Sequence, residues 1–192
     1  MTTTGSGPAA VLASGERVFL RRITATDEAE FTALVRRSEQ LHHPWMQLPG
    51  TAEEFGRYLS RFDPPVVNIG LAVCELGSGA MAGGVNINTI VRGRFQSAAV
   101  GYWAFAPAAG RGLMSEGLRL VIGYAFGVLD LHRLEANIQP ANEASIRLAK
   151  RTGFRYEGVS PDYLFIDGAW RDHERWAVTR EMVGGPSHPG PG

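Results

Sequence analysis

The sequence predicts a mixed α/β protein with a largely antiparallel sheet, on the strength of three features. From residue 114 onward, apolar residues recur at helical spacing in a segment long enough for one helix packed on a sheet. A continuous apolar and aromatic run over 98–105 precedes that helix and is typical of a buried central strand. An Asp-Gly pair at 167–168 separates two strand-like runs, which indicates a β-hairpin.

The first half of the chain is predicted to supply three strands and two helices. Residues Thr51 and Glu54 form a capping-box pattern at the start of the second helix. Residues 41–49 contain two His, two Pro and one Trp, and we expect a loop there. The predicted elements are strands at 17–22, 67–74 and 80–90 and helices at 28–38 and 51–61.

The second half is predicted to contain one strand–helix–strand crossover followed by a helix and a hairpin. Gly153 follows the second of its helices in the position where glycine commonly ends a helix. The predicted elements are strands at 98–105, 133–138, 163–166 and 170–178 and helices at 114–129 and 142–152. We therefore expect a sheet of six to seven strands with about four helices.

The domain organisation follows from composition. The chain has 192 residues and 44% hydrophobic residues, enough for one domain with a sizeable core. Small and polar residues dominate 1–14, and Gly, Pro and Ser dominate the C-terminal end. We expect one domain over 15–182, between flexible tails at 1–14 and 183–192.

Charge and cysteine content restrict the partners and the compartment. Nineteen basic residues balance nineteen acidic ones, so no net field favours nucleic acid or a membrane surface. The single cysteine, Cys74, allows no internal disulfide and fits a reducing compartment. No signal peptide and no membrane-spanning stretch are recognised, so a cytoplasmic location is expected. The sequence leaves a homodimer open.

A glycine-containing turn at 109–112 precedes the long helix and is the first candidate binding motif. The first turn of a helix leaves backbone N–H groups without internal partners, and these groups favour an anion such as a pyrophosphate. Gly110 and Gly112 remove side chains that would block the backbone, while Arg111 and Ser115 add donors. An ordinary strand-to-helix turn explains the pattern equally well.

Asn142 to Ser145 form the second candidate motif, directly after a predicted strand. Taken alone, Asn142 reads as a helix N-cap and Ser145 as incidental.

Together with other short motifs, these segments resemble the RimJ/RimL branch of the GNAT acetyltransferases, which acetylate N-terminal amines of ribosomal proteins. The resemblance covers residues 100–179. The matching pieces are Gly101-Tyr102-Trp103, Gly110-Arg111-Gly112, Tyr124-Ala125-Phe126, the segments 131–136 and 142–146, Gly153-Phe154 with Glu157-Gly158, and the segment 162–173.

The resemblance implies a GNAT fold with a splayed central strand pair, acetyl-CoA as cofactor and direct transfer of the acetyl group to an amine. Residues 103–106 would lie along the pantetheine, and the turn with the first helical residues would hold the pyrophosphate. Asn142 would bond the pantetheine chain, and Ser145 would protonate the departing thiolate. The implied cofactor-binding residues are Trp103, Phe105, Ala106, Gly110, Arg111, Gly112, Leu113, Met114, Ser115, Asn142 and Ser145.

Three residues depart from the family pattern. Ala109 stands where Gln or Arg is common, and Met114 stands where a small residue is common. Leu164 stands where some members carry a Glu that has been proposed as general base. The base therefore stays open among candidates on several elements: Asp162, Glu157, His173, Glu135 and the pair His42 and His43.

Several functions remain open at this point. The acceptor is either a protein N-terminal amine or a small amine such as an amino acid, a polyamine or an antibiotic. Alternatives are an acyltransferase of a biosynthetic or resistance pathway that uses another acyl donor, and a non-catalytic regulator that binds acyl-CoA. Trp45 is either a lid residue near the acceptor or a packing anchor. No metal is expected, because the two adjacent histidines have no second pair at ligand spacing.

Overall fold

The computed structural model describes residues 10–184, and these form one sheet of eight strands with five α-helices. The strands are β1 (Val11–Ser14), β2 (Val18–Arg22), β3 (Ile69–Glu75), β4 (Met81–Val91), β5 (Ser97–Ala104), β6 (Arg133–Ile138), β7 (Arg155–Ile166) and β8 (Ala169–Thr179). The helices are α1 (Glu28–Arg37), α2 (Glu39–His42), α3 (Ala52–Ser60), α4 (Leu113–Gly127) and α5 (Glu143–Arg151). The mixed α/β class predicted from the sequence is confirmed.

The strand order is β1-β2-β3-β4-β5-β6-β8-β7, and only the β5–β6 pair is parallel. That pairing covers Ser97–Ala99 against Arg133–Glu135 and then stops. Beyond it, β5 continues on β4 alone, while β6 continues on β8. The two central strands therefore diverge, as expected, and open a cleft in the middle of the sheet.

Two apolar clusters cover the two faces of this sheet. On one face, α4 and α5 pack on β2 to β6, with Leu118 and Leu134 fully buried. On the other face, α1 to α3 bury Phe31, Phe55 and Phe105 in an aromatic cluster. Burial of large aromatic side chains is a major stabilising contribution in a domain of this size. The cleft between the diverging strands lies between the two clusters.

The prediction of a flexible tail at 1–14 is wrong for its last residues. Residues 11–14 form β1, where Val11 pairs with Arg21 and Ala13 with Leu20. Leu12 and Ala13 pack against the larger apolar cluster, which offsets the entropy cost of ordering this segment. The sheet therefore has eight strands where the sequence predicted six to seven. Residues 1–9 and 185–192 of the expected tails lie outside the described part of the chain.

The predicted loop at 41–49 is also partly wrong, because its first residues end the short helix α2. With α2 included, the described residues contain five α-helices, where about four were expected. Helix α2 turns the His42 ring toward β5, where Nε2 lies 2.8 Å from the carbonyl oxygen of Ala104. Within residues 10–184, no helix is long and apolar enough to cross a membrane.

Candidate functional site

A cavity of about 510 Å³ occupies the cleft between β5 and β6. One side of its lining comes from the glycine turn, the start of α4 and α5, and the other from α2, the following turn and the β7–β8 hairpin. Of the residues expected at the cofactor, those that line the cavity are Trp103, Gly110, Gly112, Met114, Ser115, Asn142 and Ser145. The remaining four, Phe105, Ala106, Arg111 and Leu113, do not line it.

The glycine turn has the backbone conformation that its sequence suggested. Gly110 and Gly112 have φ angles of +75° and +79°, in the left-handed region that favours glycine. Gly112 directly precedes α4, so the first N–H groups of this helix open beside the cavity. The arrangement fits the phosphates of a nucleotide cofactor.

Arg17 binds the backbone of the glycine turn, although no sequence motif marked it as a functional residue. Its guanidinium donates to the carbonyl oxygens of Arg111 (3.1 Å) and Gly112 (3.4 Å). Glu116 fixes Arg17 in turn, through Nε at 3.0 Å and the backbone N–H at 2.8 Å. Because Arg17 binds the carbonyl oxygens of the turn, it restricts the orientation of the adjoining N–H groups.

The side chain of Arg111, which the glycine turn suggested as a donor to an anion, is paired with Glu75 in this structure. Its guanidinium makes two hydrogen bonds to Glu75, at 2.7 and 2.9 Å, outside the cavity lining. Arg151 at the end of α5 lines the cavity instead, with Nη1 3.5 Å from Ser115 Oγ. Among the described residues that line the cavity, Arg151 is the only Arg or Lys, and it lies beside the first turn of α4.

Backbone groups at the end of β5 divide between the sheet and the cleft. The N–H of Phe105 donates to Ala82 O (2.8 Å), and that of Ala106 to Ser38 Oγ (2.9 Å). Neither is free for a pantetheine chain. Backbone groups of successive strand residues point to opposite sides, so the N–H groups of Tyr102 and Ala104 point toward the open edge of β5. These two residues replace Phe105 and Ala106 as the expected partners.

Met114, the bulky departure from the family pattern, is accommodated by a glycine on β4. A Cβ placed on Gly83 would lie 2.5 Å from Met114 Sδ, so the sulfur occupies the space of the absent side chain. Trp103 makes a similar contact, because a Cβ on Gly84 would lie 2.3 Å from its ring. Both large side chains therefore fit beside the cleft without closing it.

Ser145 and Asn142 occupy the α5 side of the cavity. Asn142 caps α5 with its Oδ1, which accepts from the N–H of Ser145 at 3.1 Å. The Ser145 hydroxyl donates to the hydroxyl of Tyr102 at 2.9 Å, and Tyr102 also lines the cavity. The reading of Asn142 as a helix cap is confirmed, and its Oδ1 is thereby engaged within the protein.

Three carboxylates considered as bases lie outside the cavity lining. Glu135 lies between Arg133 (2.8 Å) and Arg175 (2.5 Å), and Glu157 also pairs with Arg133. Despite the opposing effect of burial, hydrogen bonds from Arg133 and Arg175 hold the pKa of Glu135 below its usual value. Asp162 sits in an irregular part of β7. None of the three is placed to accept a proton from a substrate in the cavity.

Two buried histidines, His42 and His173, do line the cavity. Burial lowers the pKa of both rings below the usual value of 6.5. His173 Nδ1 lies 2.9 Å from the carbonyl oxygen of Arg171, so it donates there and leaves a lone pair on Nε2. His43 is exposed and lies 3.6 Å from Asp167 of the hairpin, outside the lining.

The α2 and hairpin side of the cavity, which we call the acceptor side, is largely apolar. Trp45 lines it and accepts a hydrogen bond from Gln139 through its carbonyl oxygen at 3.3 Å. Leu164 lies in this lining too, so no carboxylate stands at that position. Among residues 10–184, no Asp or Glu lines the cavity at all. Its apolar side chains on the acceptor side include Leu41, Met46, Leu164 and Ile166.

Comparison with protein families gives one match that spans most of the chain. Residues 17–155 match the model described as "Acetyltransferase (GNAT) domain". The matched range includes the cleft, the glycine turn and α5.

Curated relatives and solved structures point to the same group. The chain is 36% identical over 140 residues to the "[Ribosomal protein uS5]-alanine N-acetyltransferase" of Escherichia coli, covering 70% of this chain and 66% of that protein. It is 40% identical over 98 residues to the "Probable N-acetyltransferase YjcK" of Bacillus subtilis, covering 51% of this chain and 54% of that protein. The chain thus spans about half to two thirds of these two relatives. The structure of Mycobacterium smegmatis RimJ in complex with CoA-disulfide superposes with a TM-score of 0.80 at 26% identity, covering 87% of this chain and 84% of that one.

Proposed function

The chain belongs to the GNAT acetyltransferase family, and from that premise we propose that it transfers an acetyl group from acetyl-CoA to the N-terminal α-amine of a protein. The family match confirms the predicted fold and the predicted transferase class. The likeness to an enzyme named for a ribosomal-protein alanine supports a protein N-terminus as the acceptor. A cytoplasmic location remains part of this proposal, since the thiol of Cys74 is free and buried.

The absence of carboxylates from the cavity lining within residues 10–184 carries this choice of acceptor. Polyamines and many antibiotics bear several positive charges at neutral pH, and buried cations need paired acceptors. An N-terminal residue with an uncharged side chain brings a single positive charge, that of its α-amine, where a polyamine brings several. The apolar side chains of Leu41, Met46 and Ile166 suit a small or apolar first residue.

Residues on one side of the cleft would bind the cofactor, and residues on the other side would bind the acceptor. The glycine turn, Ser115 and Arg151 would hold the phosphates, and the open edge of β5 would pair with the pantetheine chain. Acetyl-CoA supplies the acetyl group as an activated thioester. Ser145 would give a proton to the sulfur, and the acceptor side would orient the amine. We retain these assignments, including Asn142 and Ser145, as proposals.

The experiment that tests the function measures thiol release with acetyl-CoA and a panel of acceptors. The panel contains peptides that begin with Ala, Ser, Met or Asp, the same peptides with a blocked N-terminus, spermidine, single amino acids and an aminoglycoside. We expect turnover with free N-terminal peptides, best with small or apolar first residues, and none with blocked ones. Mass spectrometry would place the acetyl group on the α-amine.

Two outcomes would contradict the proposal. Faster turnover of spermidine or of an aminoglycoside than of any peptide would make the chain a small-amine acetyltransferase. Binding of acetyl-CoA without turnover of any acceptor would favour a regulator that binds acyl-CoA. The variant Leu164→Glu tests the argument from charge. It adds a carboxylate to the cavity lining and should shift the acceptor preference toward cationic amines.

A further inference from the structure

We propose that His173 is the general base that removes a proton from the acceptor amine. The inference rests on the proposed function, because it assumes that an amine enters the acceptor side of the cavity. No base could be assigned from the sequence, where His173 was one of several candidates. Its placement on β8, its hydrogen bonding and its burial distinguish it from the others.

The ring of His173 has the protonation pattern that a base requires. Nδ1 lies 2.9 Å from the carbonyl oxygen of Arg171 and therefore carries a proton. In the neutral ring, Nε2 then holds the lone pair, and the side chain forms part of the cavity wall. The residue is only 2% exposed, so the cavity rather than the outer surface is its open side.

An irregularity in the β7–β8 hairpin fixes this ring in place. Ser160 pairs with His173 and Leu164 with Arg171, so three residues of β7 stand opposite Asp172 alone. Asp162 in this bulge has a φ angle of +46°, and its N–H donates to Asp172 Oδ1 at 2.9 Å. Bulges of this kind often re-aim side chains next to active sites.

Tyr163, in the same bulge, packs near both the His173 ring and Arg175. Its ring centre lies 6.0 Å from that of His173 and 4.6 Å from the guanidinium of Arg175. Arg175 is itself held by Glu135 at 2.5 Å. Because Arg175 is held by Glu135 and Tyr163 packs on Arg175, these neighbours restrict movement of the His173 side chain out of the cavity wall.

The other cavity histidine is less suited to the role. His42 donates through Nε2 to Ala104 O, and its Nδ1 is buried with no hydrogen-bond partner. That nitrogen atom is itself enclosed by the protein, so a substrate amine would reach it only after movement of α2. His42 therefore holds the end of β5, whereas His173 meets the substrate.

The charged groups around His173 oppose one another. Burial, the largest effect, lowers the pKa of the ring; the hydrogen bond to the carbonyl oxygen of Arg171 and the charge of Asp172 raise it, and Arg175 lowers it. The other titratable side chains of the cavity lining are His42, Tyr102 and Arg151. A ring with a pKa below 6.5 is neutral at pH 7 and ready to accept a proton.

The proton balance of the reaction requires such a group. Most free α-amines are protonated at pH 7, and only the neutral amine attacks. The acceptor nitrogen forms a bond to the acetyl carbonyl carbon, and the bond from that carbon to sulfur breaks. The ammonium nitrogen loses two protons in total. His173 takes the first, which frees the attacking lone pair, and passes it to water. The second leaves as the C–S bond breaks and returns through water to Ser145, where it replaces the proton that Ser145 gave to the thiolate.

The decisive experiment is the pH profile of kcat for wild type and for His173→Gln, with saturating peptide and acetyl-CoA. We follow kcat because the free amine of the peptide also titrates, near pH 8, and would contribute to kcat/KM. Wild-type kcat should fall as pH drops through the pKa of His173, below about pH 6.5. The variant should lose about 100-fold in kcat at neutral pH and should lack this acid limb.

The control is His132→Gln, whose exposed ring bonds Glu181 outside the cavity and whose profile should match wild type. The proposal is overturned if His173→Gln keeps the wild-type kcat and its acid limb. If wild type itself acetylates no N-terminal peptide, the proposed function fails instead, and the two failures are thus distinguishable. Should His173→Gln not fold, NMR titration of the wild-type ring with CoA and peptide bound decides: its pKa must match the acid limb of kcat.

Discussion

Ser145 and Tyr102 form a closed hydrogen-bonded pair at the centre of the cleft. The Ser145 hydroxyl donates to Tyr102 Oη at 2.9 Å, and Tyr102 donates back to the carbonyl oxygen of Ser145 at 3.2 Å. Burial raises the pKa of Tyr102 to about 12, so the phenol keeps its proton at neutral pH. The phenol of Tyr102 thus lies beside Ser145 Oγ, where it can replace a proton that Ser145 gives up.

The first prediction concerns this pair. Ser145→Ala should lower kcat by about 100-fold, because the departing thiolate loses its proton donor. Tyr102→Phe should lower kcat by about tenfold, the effect of one hydrogen bond. Both variants should bind acetyl-CoA nearly as tightly as wild type, measured by calorimetry.

A double variant and a matched control sharpen that test. If the hydroxyls act together, the double variant should be no slower than Ser145→Ala alone. Tyr124→Phe is the control, since Tyr124 is buried in α4 but does not line the cavity. An unchanged kcat in Ser145→Ala would exclude Ser145 as the acid.

The second prediction separates Arg151 from Arg111. Arg151→Ala should weaken CoA binding by about tenfold to 100-fold, the effect of losing a hydrogen bond to a charged group. Arg111→Ala should change the dissociation constant by less than about fivefold, because an exposed pair with Glu75 contributes little. Calorimetry with CoA measures both. The opposite ranking would mean that Arg111 leaves Glu75 when the cofactor binds.

The sequence could not show that Arg151, rather than Arg111, lines the cavity. Arg111 lies between two glycines of the phosphate turn, and that local pattern suggested a phosphate contact. Glu75, which engages it, belongs to β3 and lies 36 positions earlier in the chain. Arg151 ends α5 as an ordinary polar residue, and only the packing of α5 beside α4 brings it to Ser115. Contacts between distant segments depend on the tertiary fold and leave no local pattern.

Features with a local cause were predictable. The capping box of Thr51 and Glu54, the Asn142 cap and the turn at Asp167 and Gly168 all form as expected. Asp27 behaves differently: it precedes α1 like an N-cap, but its carboxylate accepts two hydrogen bonds of 2.8 Å from Arg21. The same carboxylate accepts from the N–H of Thr24 at 2.8 Å, so it serves the turn before α1 and the Arg21 pair and makes no side-chain cap bond to α1 itself.

The third prediction tests the hold of Arg17 on the glycine turn. Arg17→Ala frees the carbonyl oxygens of Arg111 and Gly112, so the N–H groups of the turn lose their fixed orientation. We expect CoA affinity to fall by about tenfold, while kcat at saturating acetyl-CoA stays close to wild type. Kd from calorimetry and kcat from thiol release are measured together.

The control for Arg17 is Arg57→Ala, which removes an exposed ion pair with Glu53 far from the turn. It should leave CoA affinity unchanged. A wild-type dissociation constant in Arg17→Ala would show that the turn keeps its shape without the guanidinium.

The fourth prediction is a loss of stability at mildly acidic pH that depends on His42. The folded-state pKa of His42 is lowered from 6.5 by burial, so between that lowered value and 6.5 the unfolded chain binds more protons than the folded one. Stability from this residue is therefore present at neutral pH and falls as pH drops below about 6.5. Tm measured by calorimetry from about pH 7.5 to pH 5.5 should decrease in wild type. His173 contributes in the same direction.

His42→Gln isolates the contribution of one ring. Glutamine can still donate to Ala104 O but cannot titrate, so its Tm should depend less on pH than that of wild type. Arg57→Ala removes an exposed side chain that stays charged throughout this pH range and should keep the wild-type slope. Carboxylates with lowered pKa values, such as Glu116, lose their contribution only below about pH 4.5 and do not interfere in this window. If Tm depended on pH equally in wild type and in His42→Gln, protonation of the buried His42 ring would carry no cost in stability. That result would contradict the prediction, which rests on the burial of the ring between α2 and the end of β5.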